Sequence, residues 1–371
     1  MKICFFNLNA YSVFNEGSGA PIGGTEVQLK NLADYFSQQP GFDVTFLTGN
    51  WGQPSVECYS NIVVVSTISL EKKLMNYIVA PFGIWQALKK VSADVYIASS
   101  ASLEIGILAF FCFIYKKKFI YRTAHEMDYS GEFIRKHFLS GKFFSYGLRH
   151  ASRVVVQSNN AQKRLKQQGI LSVAIPNGYP LQMPVDQQKQ LEGGSILWVA
   201  RCEDWKGPSI FLDIAERFPD EIFVMISPKQ AHDKGLFENI LERAQQLHNV
   251  RFIESVPFGD IQDFFNKAKI FINTSESEGF PNTYLQACIG KTPIISLKVN
   301  PDNFIVENNI GYCADGDFDF MIKLIEKMIN DKADWLEKSK NSLKYVLKHH
   351  NINRIGSRWK SVLDGMFTTG L

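Results

Sequence analysis

The sequence holds little of what a metal centre or a disulfide scaffold needs. Its six cysteines, Cys4, Cys58, Cys112, Cys202, Cys288 and Cys313, are scattered, mostly inside apolar runs, with no Cys-x-x-Cys and no histidine pair nearby. That spacing argues against a zinc site and fits a reduced, cytoplasmic compartment. Long hydrophobic runs are missing too. The longest, Ile105–Tyr115, is closed by Glu104 and Lys116, too short for a bilayer span and suited to a buried helix. The opening MKICFFNLNA alternates and breaks at Asn7, which reads as a first strand and not as a signal-peptide core. No low-complexity tract and no repeat of solenoid length occurs.

What is present is enough for two full cores. The chain has 371 residues, 45% of them hydrophobic, which allows two domains of ordinary size. Short apolar, β-branched runs alternate with helical segments: KICFFNL, DVTFLT, NIVVVST, DVYIAS, KFIYRTA and RVVVQS, then SILWVA, EIFVMIS, VRFIES, KIFINTS and TPIISL. Near-continuous apolar strands separated by helices predict parallel sheets covered on both faces, in two doubly wound domains. Between the series, residues 176–194 carry prolines, glycines and glutamines without apolar periodicity, so they read as a linker. The expected division is 1–178, a linker at 179–194, 195–350, and a last amphipathic helix in 351–371 around Trp359 and Val362 that packs back toward the first domain.

The net charge of +3 is unevenly spread. Residues 1–180 hold 18 Lys and Arg against 11 Asp and Glu, and the remainder 22 against 26. Clusters at Lys72–Lys73, Lys89–Lys90, Lys116–Lys118 and Arg135–Lys136 have the charge to meet an anionic lipid or nucleic acid. Ordinary solvated helix ends account for them equally well.

Gly17, Gly19 and Gly23 imitate a dinucleotide-binding loop. The loop from Ala10 to Pro21 is too long for the tight turn required, and DVTFLTGN ends without an acidic residue for a ribose. The later glycines, Gly23 and Gly24, precede a helix from about Thr25 and allow a ligand close to the backbone. In the second half, Arg201 follows a strand directly and Lys206 stands five residues on, a pair able to neutralise a diphosphate. SESEGFPNTYLQACIG places Glu278 just ahead of a helix start. Pro281 suits the first helical position, and the free amides after it form an anion site. His125, Ser158 and Asn159 each fall at a predicted strand end. A lone histidine is ordinarily a packing residue, and a lone loop glutamate is ordinarily solvated. Asp317-Phe-Asp319 is better taken as the cap of a helix beginning near Phe320 than as a metal-binding pair.

The ordered set GGTE, RTAHE, VVVQSN, IPNGYP, ARCEDWKG and SESEGFPNTYLQA resembles glycosyltransferase family 4 over nearly the whole chain. The resemblance implies an α/β, GT-B fold, two doubly wound Rossmann-like domains facing across a cleft, and a retaining, metal-independent hexosyl transfer. It implies a nucleotide-diphospho-sugar donor held mainly by the second domain. A glycan or lipid-linked acceptor, in cell-surface polysaccharide or lipopolysaccharide synthesis, would be held by the first. Arg201 and Lys206 match the diphosphate-binding cations, and Glu278 the first acid of the Glu, seven residues, Glu motif. Gly279, Phe280, Pro281 and Asn282 are implied main-chain contacts, and Gly24 lies near the phosphates. His125 sits by the donor sugar, with Gly23, Ser158 and Asn159 on the acceptor side. Where the second acid belongs stands Gln286, which leaves the ribose contact open. No metal or other cofactor and no nucleic-acid partner is expected, while an anionic surface on the inner face of a membrane is. Two alternatives stay open: a nucleotide-sugar epimerase of the same fold, and a non-catalytic sugar-nucleotide-binding scaffold.

Overall fold

The computed structural model describes residues 1–18, 23–69, 76–181, 189, 191–230, 235–257 and 259–367. Gly19, Lys72, Lys73 and half of the expected linker fall outside these. The chain divides into two compact units, Met1–Pro180 with His350–Leu371, and Leu181–His349.

The first unit is built on eight strands: β1 Lys2–Phe6, β2 Asp43–Asn50, β3 Val56–Tyr59, β4 Ile62–Ser69, β5 Val95–Ser99, β6 Lys118–Arg122, β7 Arg153–Val156 and β8 Ser172–Ala174. Their order is β3-β4-β2-β1-β5-β6-β7-β8, parallel throughout except for β3, which runs antiparallel to β4 with Val56 opposite Val65. Alternation of side chains across the sheet explains why these strands are apolar at every position. Ile3 and Phe5 enter one core, Cys4 and Phe6 the other. Likewise Val95 and Ile97 point away from Tyr96 and Ala98. One face is covered by helices Gly24–Ser37 and Ile352–Gly365, through Leu29, Leu32, Phe36, Ile355, Trp359 and Leu363. The other is covered by helices Asn76–Val91, Glu104–Ile114, Phe138–His150 and Asn159–Gln167.

The second unit has six parallel strands: β9 Ser195–Val199, β10 Phe223–Ile226, β11 Val250–Ile253, β12 Ala268–Asn273, β13 Ile294–Ser296 and β14 Gly311–Cys313. Their order is β11-β10-β9-β12-β13-β14. Trp198, Phe211, Phe223, Ile272 and Trp335 fill one core.

One expectation needs correction, and two helix starts are fixed to the residue. The run Ile105–Tyr115 is a helix, but not a buried one: Phe110 is 47%, Phe113 71% and Ile114 46% exposed. Its inward face is saturated by Leu108, Phe111 and Cys112, and three further large side chains have no interior left to enter. The helix after the glycine pair begins at Gly24 with Gly23 as its N-cap. Pro281 is itself an N-cap, with ψ of 128°, and the helix runs Asn282–Ile289.

Candidate active site

In parallel sheets the carboxyl ends of the strands collect the loops that lead into helices, and ligands bind there. In the second unit those ends hold the two segments singled out above. Beyond β9, Arg201, Glu203 and Lys206 lead through Gly207 into helix Pro208–Arg217. Beyond β12, Thr274 to Phe280 lead into helix Asn282–Ile289.

The two loops are tied together at the backbone. Thr274 Oγ1 lies 2.7 Å from the carbonyl oxygen of Lys206 and 2.9 Å from that of Gly207, and accepts the indole N–H of Trp198 at 2.9 Å. The amide of Glu276 donates to the carbonyl of Trp205 at 2.9 Å. Gly207 has φ +67°, and a Cβ there would stand 2.8 Å from the Thr274 carbonyl oxygen. Only glycine combines that left-handed turn with such an approach. The turn delivers Lys206 to Glu278.

Lys206 Nζ and Glu278 Oε1 form an ion pair, their side chains 12% and 13% exposed. Ser275 Oγ donates to the same carboxylate oxygen at 3.0 Å, and Lys206 Nζ sits 4.0 Å from the centroid of the Trp205 ring. Burial lowers the ammonium's pKa below the ordinary 10.5, and the charge and hydrogen bond of Glu278 oppose that shift. Arg201, more exposed, has Nη2 3.5 Å from Glu203 Oε2. This corner therefore holds two cations, the largely buried carboxylate of Glu278, the more exposed one of Glu203 and the amides of a helix start, a set suited to phosphate oxygens beside neutral hydroxyls.

Gly279 and Phe280 are half-buried in the loop, and the Phe280 ring lies 5.0 Å from that of Phe304. Gln286 is only 5% exposed, so it does not lie on the outer surface of its helix. Its carbonyl accepts the side-chain amide of Gln262 at 3.0 Å. On the same helix, Tyr284 donates to the carbonyl of Val299 at 2.8 Å and lies 3.0 Å from Ser296 Oγ, whose hydroxyl is left to donate to the tyrosine oxygen, and this fixes the helix against β13.

In the first unit the candidates sit at other strand ends. Asp128, 3% exposed, accepts the amide of Ala124 at 2.6 Å and, more weakly, that of His125 at 3.4 Å, closing the turn after β6. The amide of Met127 donates to His125 Nδ1 at 3.2 Å, which assigns the imidazole proton to Nε2 when the ring is neutral. Beneath this turn the buried Arg122 donates to Asn177 Oδ1. Burial lowers the guanidinium to about 10 against the attraction of Asp128, and raises the Asp128 carboxyl above its usual range despite the Ala124 amide. Ser158 uses its hydroxyl to cap helix Asn159–Gln167, accepting the amide of Ala161 at 3.1 Å, and Asn159 is exposed at the start of that helix. At the glycine pair, Glu26 is buried and accepts from Asn7 Nδ2 at 3.0 Å. Its other oxygen would stand 2.6 Å from a Cβ on Gly23, so a side chain at that position would have to displace the Glu26 carboxylate.

Arg201, Lys206, Glu278, Gly279, Phe280, Pro281, Asn282 and Gln286 thus fall in one unit, and Gly23, Gly24, His125, Ser158 and Asn159 in the other. Thr274, Ser275, Trp205, Asp128 and Glu26 were not singled out from the sequence. Asp128 alone left a trace there, a carboxylate three residues after a strand-end histidine.

Residues 183–348 match the family model described as glycosyl transferases group 1, and residues 22–182 that described as Glycosyltransferase Family 4. The chain is a family 4, group 1 glycosyltransferase. It is 21% identical over 374 residues to an uncharacterized glycosyltransferase of Haemophilus influenzae, covering 98% of this chain and 99% of the other. A capsular polysaccharide biosynthesis glycosyltransferase, CapM of Staphylococcus aureus, is 28% identical over 130 residues, 33% of this chain and 31% of that one. The fold of this glycosyltransferase is that of sucrose-phosphate synthase from Thermosynechococcus elongatus, with TM-score 0.82 at 14% identity over the whole of both chains. Anabaena HepE in complex with UDP and glucose superposes with TM-score 0.75 at 16% identity, over 98% of this chain and 100% of that one. These relations establish a transferase of GT-B fold, and do not favour an epimerase or a non-catalytic scaffold.

Proposed function

We propose that this glycosyltransferase moves a sugar, with retention and without a metal, from a nucleotide-diphospho-sugar to a glycan or lipid-linked acceptor in cell-surface polysaccharide synthesis. The buried Lys206–Glu278 pair at a helix start carries the proposal. A diphosphate at this corner takes its counter-charge from Arg201, Lys206 and the amides at Asn282, a fixed electrostatic site for a leaving group. Glu278, held by Ser275, accepts from hydroxyls of the donor sugar, while Gln286 offers one acceptor and one donor to the ribose. HepE, crystallised with UDP and glucose, supports this donor class. No carboxylate nucleophile is invoked. The departing phosphate oxygen draws the acceptor proton as the new glycosidic bond forms on the same face, and the resemblance of RTAHE to the family assigns His125 to the donor sugar. CapM supports a role in surface polysaccharide. The basic first half supports work on the inner face of a membrane through Lys116, Lys117 and Lys118. Lys72 and Lys73, expected to join them, lie outside the described residues.

The test is transfer and donor hydrolysis across a panel of nucleotide sugars, with and without chelator. Release of nucleoside diphosphate that requires Glu278 and survives chelation supports the proposal. A product of inverted anomeric configuration, or a rate restored only by added divalent cation, sinks its mechanistic half.

A further inference from the structure

Half of the large apolar side chains exposed among the described residues, eight of sixteen, fall between residues 82 and 143. Three of them, Phe82, Phe110 and Phe143, line with Trp85 an open groove of about 840 Å³ on the first unit, edged by Lys89 and Lys142. The groove lies among helices Asn76–Val91, Glu104–Ile114 and Phe138–His150. The latter two meet closely at Gly106, where a Cβ would stand 2.5 Å from the Phe143 carbonyl oxygen. Trp85 packs 5.9 Å from Phe110 and 5.2 Å from Phe111, so the floor of the groove is aromatic and firmly held.

We propose that this groove seats an acyl chain of an anionic phospholipid, and that the enzyme docks on its bilayer through this face. The inference rests on the membrane-surface part of the proposed function and assigns it a site. Charge selects the occupant. The three helices carry Lys89, Lys90, Lys142 and Arg149 against the single acid Glu104. Lys142 Nζ lies 4.1 Å from the Phe138 ring and Lys89 Nζ 5.6 Å from that of Tyr115. Their stems follow apolar surface while the ammonium groups stay at its edge, the arrangement that meets lipid phosphates above buried chains. A second copy of this chain would bring the same cations against one another. No helix among the described residues is long and apolar enough to cross a membrane, so the exposed aromatics serve an interfacial seat and not a span.

The full-length protein is to be sedimented with vesicles of phosphatidylcholine alone and of phosphatidylcholine mixed with phosphatidylglycerol. Binding is expected only to the anionic vesicles. Lys89→Gln and Lys142→Gln should each weaken it about fivefold, and Phe110→Asp at least about tenfold through lost apolar burial. Phosphatidylglycerol brominated in its chains should quench the protein's fluorescence, and Trp85→Phe should remove that quenching. All four side chains are at the surface or in the groove wall, so melting and donor-induced thermal shift are expected to stay at wild-type values, which separates docking from misfolding. Anionic binding that ignores Phe110→Asp and shows no Trp85-dependent quenching overturns the groove and leaves a purely electrostatic membrane contact. Absence of sedimentation with either vesicle removes the membrane-surface reading as well. A dimer in sedimentation equilibrium that Phe110→Asp dissociates assigns the groove to a second copy and overturns the proposal.

Discussion

Removing Lys206 or Glu278 separately should damage this enzyme's stability, whereas removing both should damage only its chemistry. The two side chains are each nearly nine-tenths buried and paired. Deleting one member of such a pair ordinarily costs about 3–5 kcal/mol, because the other charge stays desolvated. Here Ser275 still donates to Glu278, and neither group is wholly dry, so Lys206→Met should cost about 2–3 kcal/mol. In Glu278→Gln the ammonium is left, and its already lowered pKa lets it shed its proton, so that variant should cost about 1–2 kcal/mol. Lys206→Met with Glu278→Gln should return to within about 1 kcal/mol of wild type, since replacing a buried pair by neutral groups is often energetically neutral. Turnover should instead fall by about 10²-fold or more in all three, the scale of losing one fixed charge at a leaving group. Urea midpoints followed by fluorescence, with a double-mutant cycle, give the coupling directly.

The pH dependence has a definite sign. Below the lowered pKa of Lys206 both folded and unfolded chains hold the proton. Between that value and the ordinary 10.5 the unfolded chain binds more protons, so this group makes stability rise with pH across that window. Transfer should fall in the same window as the cation is lost. Additive destabilisation in the double variant, or unchanged turnover in Lys206→Met, would refute the reasoning that the pair is both a buried cost and a functional site.

Gly207→Ala should destabilise the second unit by about 1–3 kcal/mol, from a left-handed residue pressed against the Thr274 carbonyl, and lower kcat, as thermal melting and steady-state kinetics would register. Gln286→Ala should raise the donor KM several-fold with a smaller change in kcat, because ribose binding is nearly uniform between ground and transition states; isothermal titration with donor checks it, and an unchanged KM removes Gln286 from the site. Asp128→Ala should cost about 2 kcal/mol by orphaning the Ala124 amide. Asp128→Asn keeps an acceptor, and because the raised carboxyl pKa makes stability fall as pH climbs above 3.8, it should be nearly neutral at pH 7 by chemical denaturation.

The alternation of apolar runs with helical segments was sufficient to read two doubly wound sheets, because a strand buried on both faces has no polar side to write into its sequence. Ile3 and Cys4 go to opposite cores, and both must be apolar. The strands β3, β8 and β14, each of four residues or fewer, were not read. The same local signal marked Glu278 beside a helix start and Arg201 and Lys206 after a strand, since both features are chain-adjacent.

What sequence could not decide was anything set by a partner distant in the chain. Glu278 and Lys206 are 72 residues apart, and only the pairing of β9 with β12 makes them one buried pair. Asp128 is a local case: it stands only four residues from the Ala124 amide it accepts, and its trace in the sequence did not single it out because a carboxylate three residues after a histidine is equally compatible with a solvated helix. The helix Glu104–Ile114 makes the point in reverse. Its composition is that of a core helix, yet a helix touches its sheet along one stripe only. How many of its apolar side chains are left over is fixed by the width of that contact, a property of the packed fold and not of the segment.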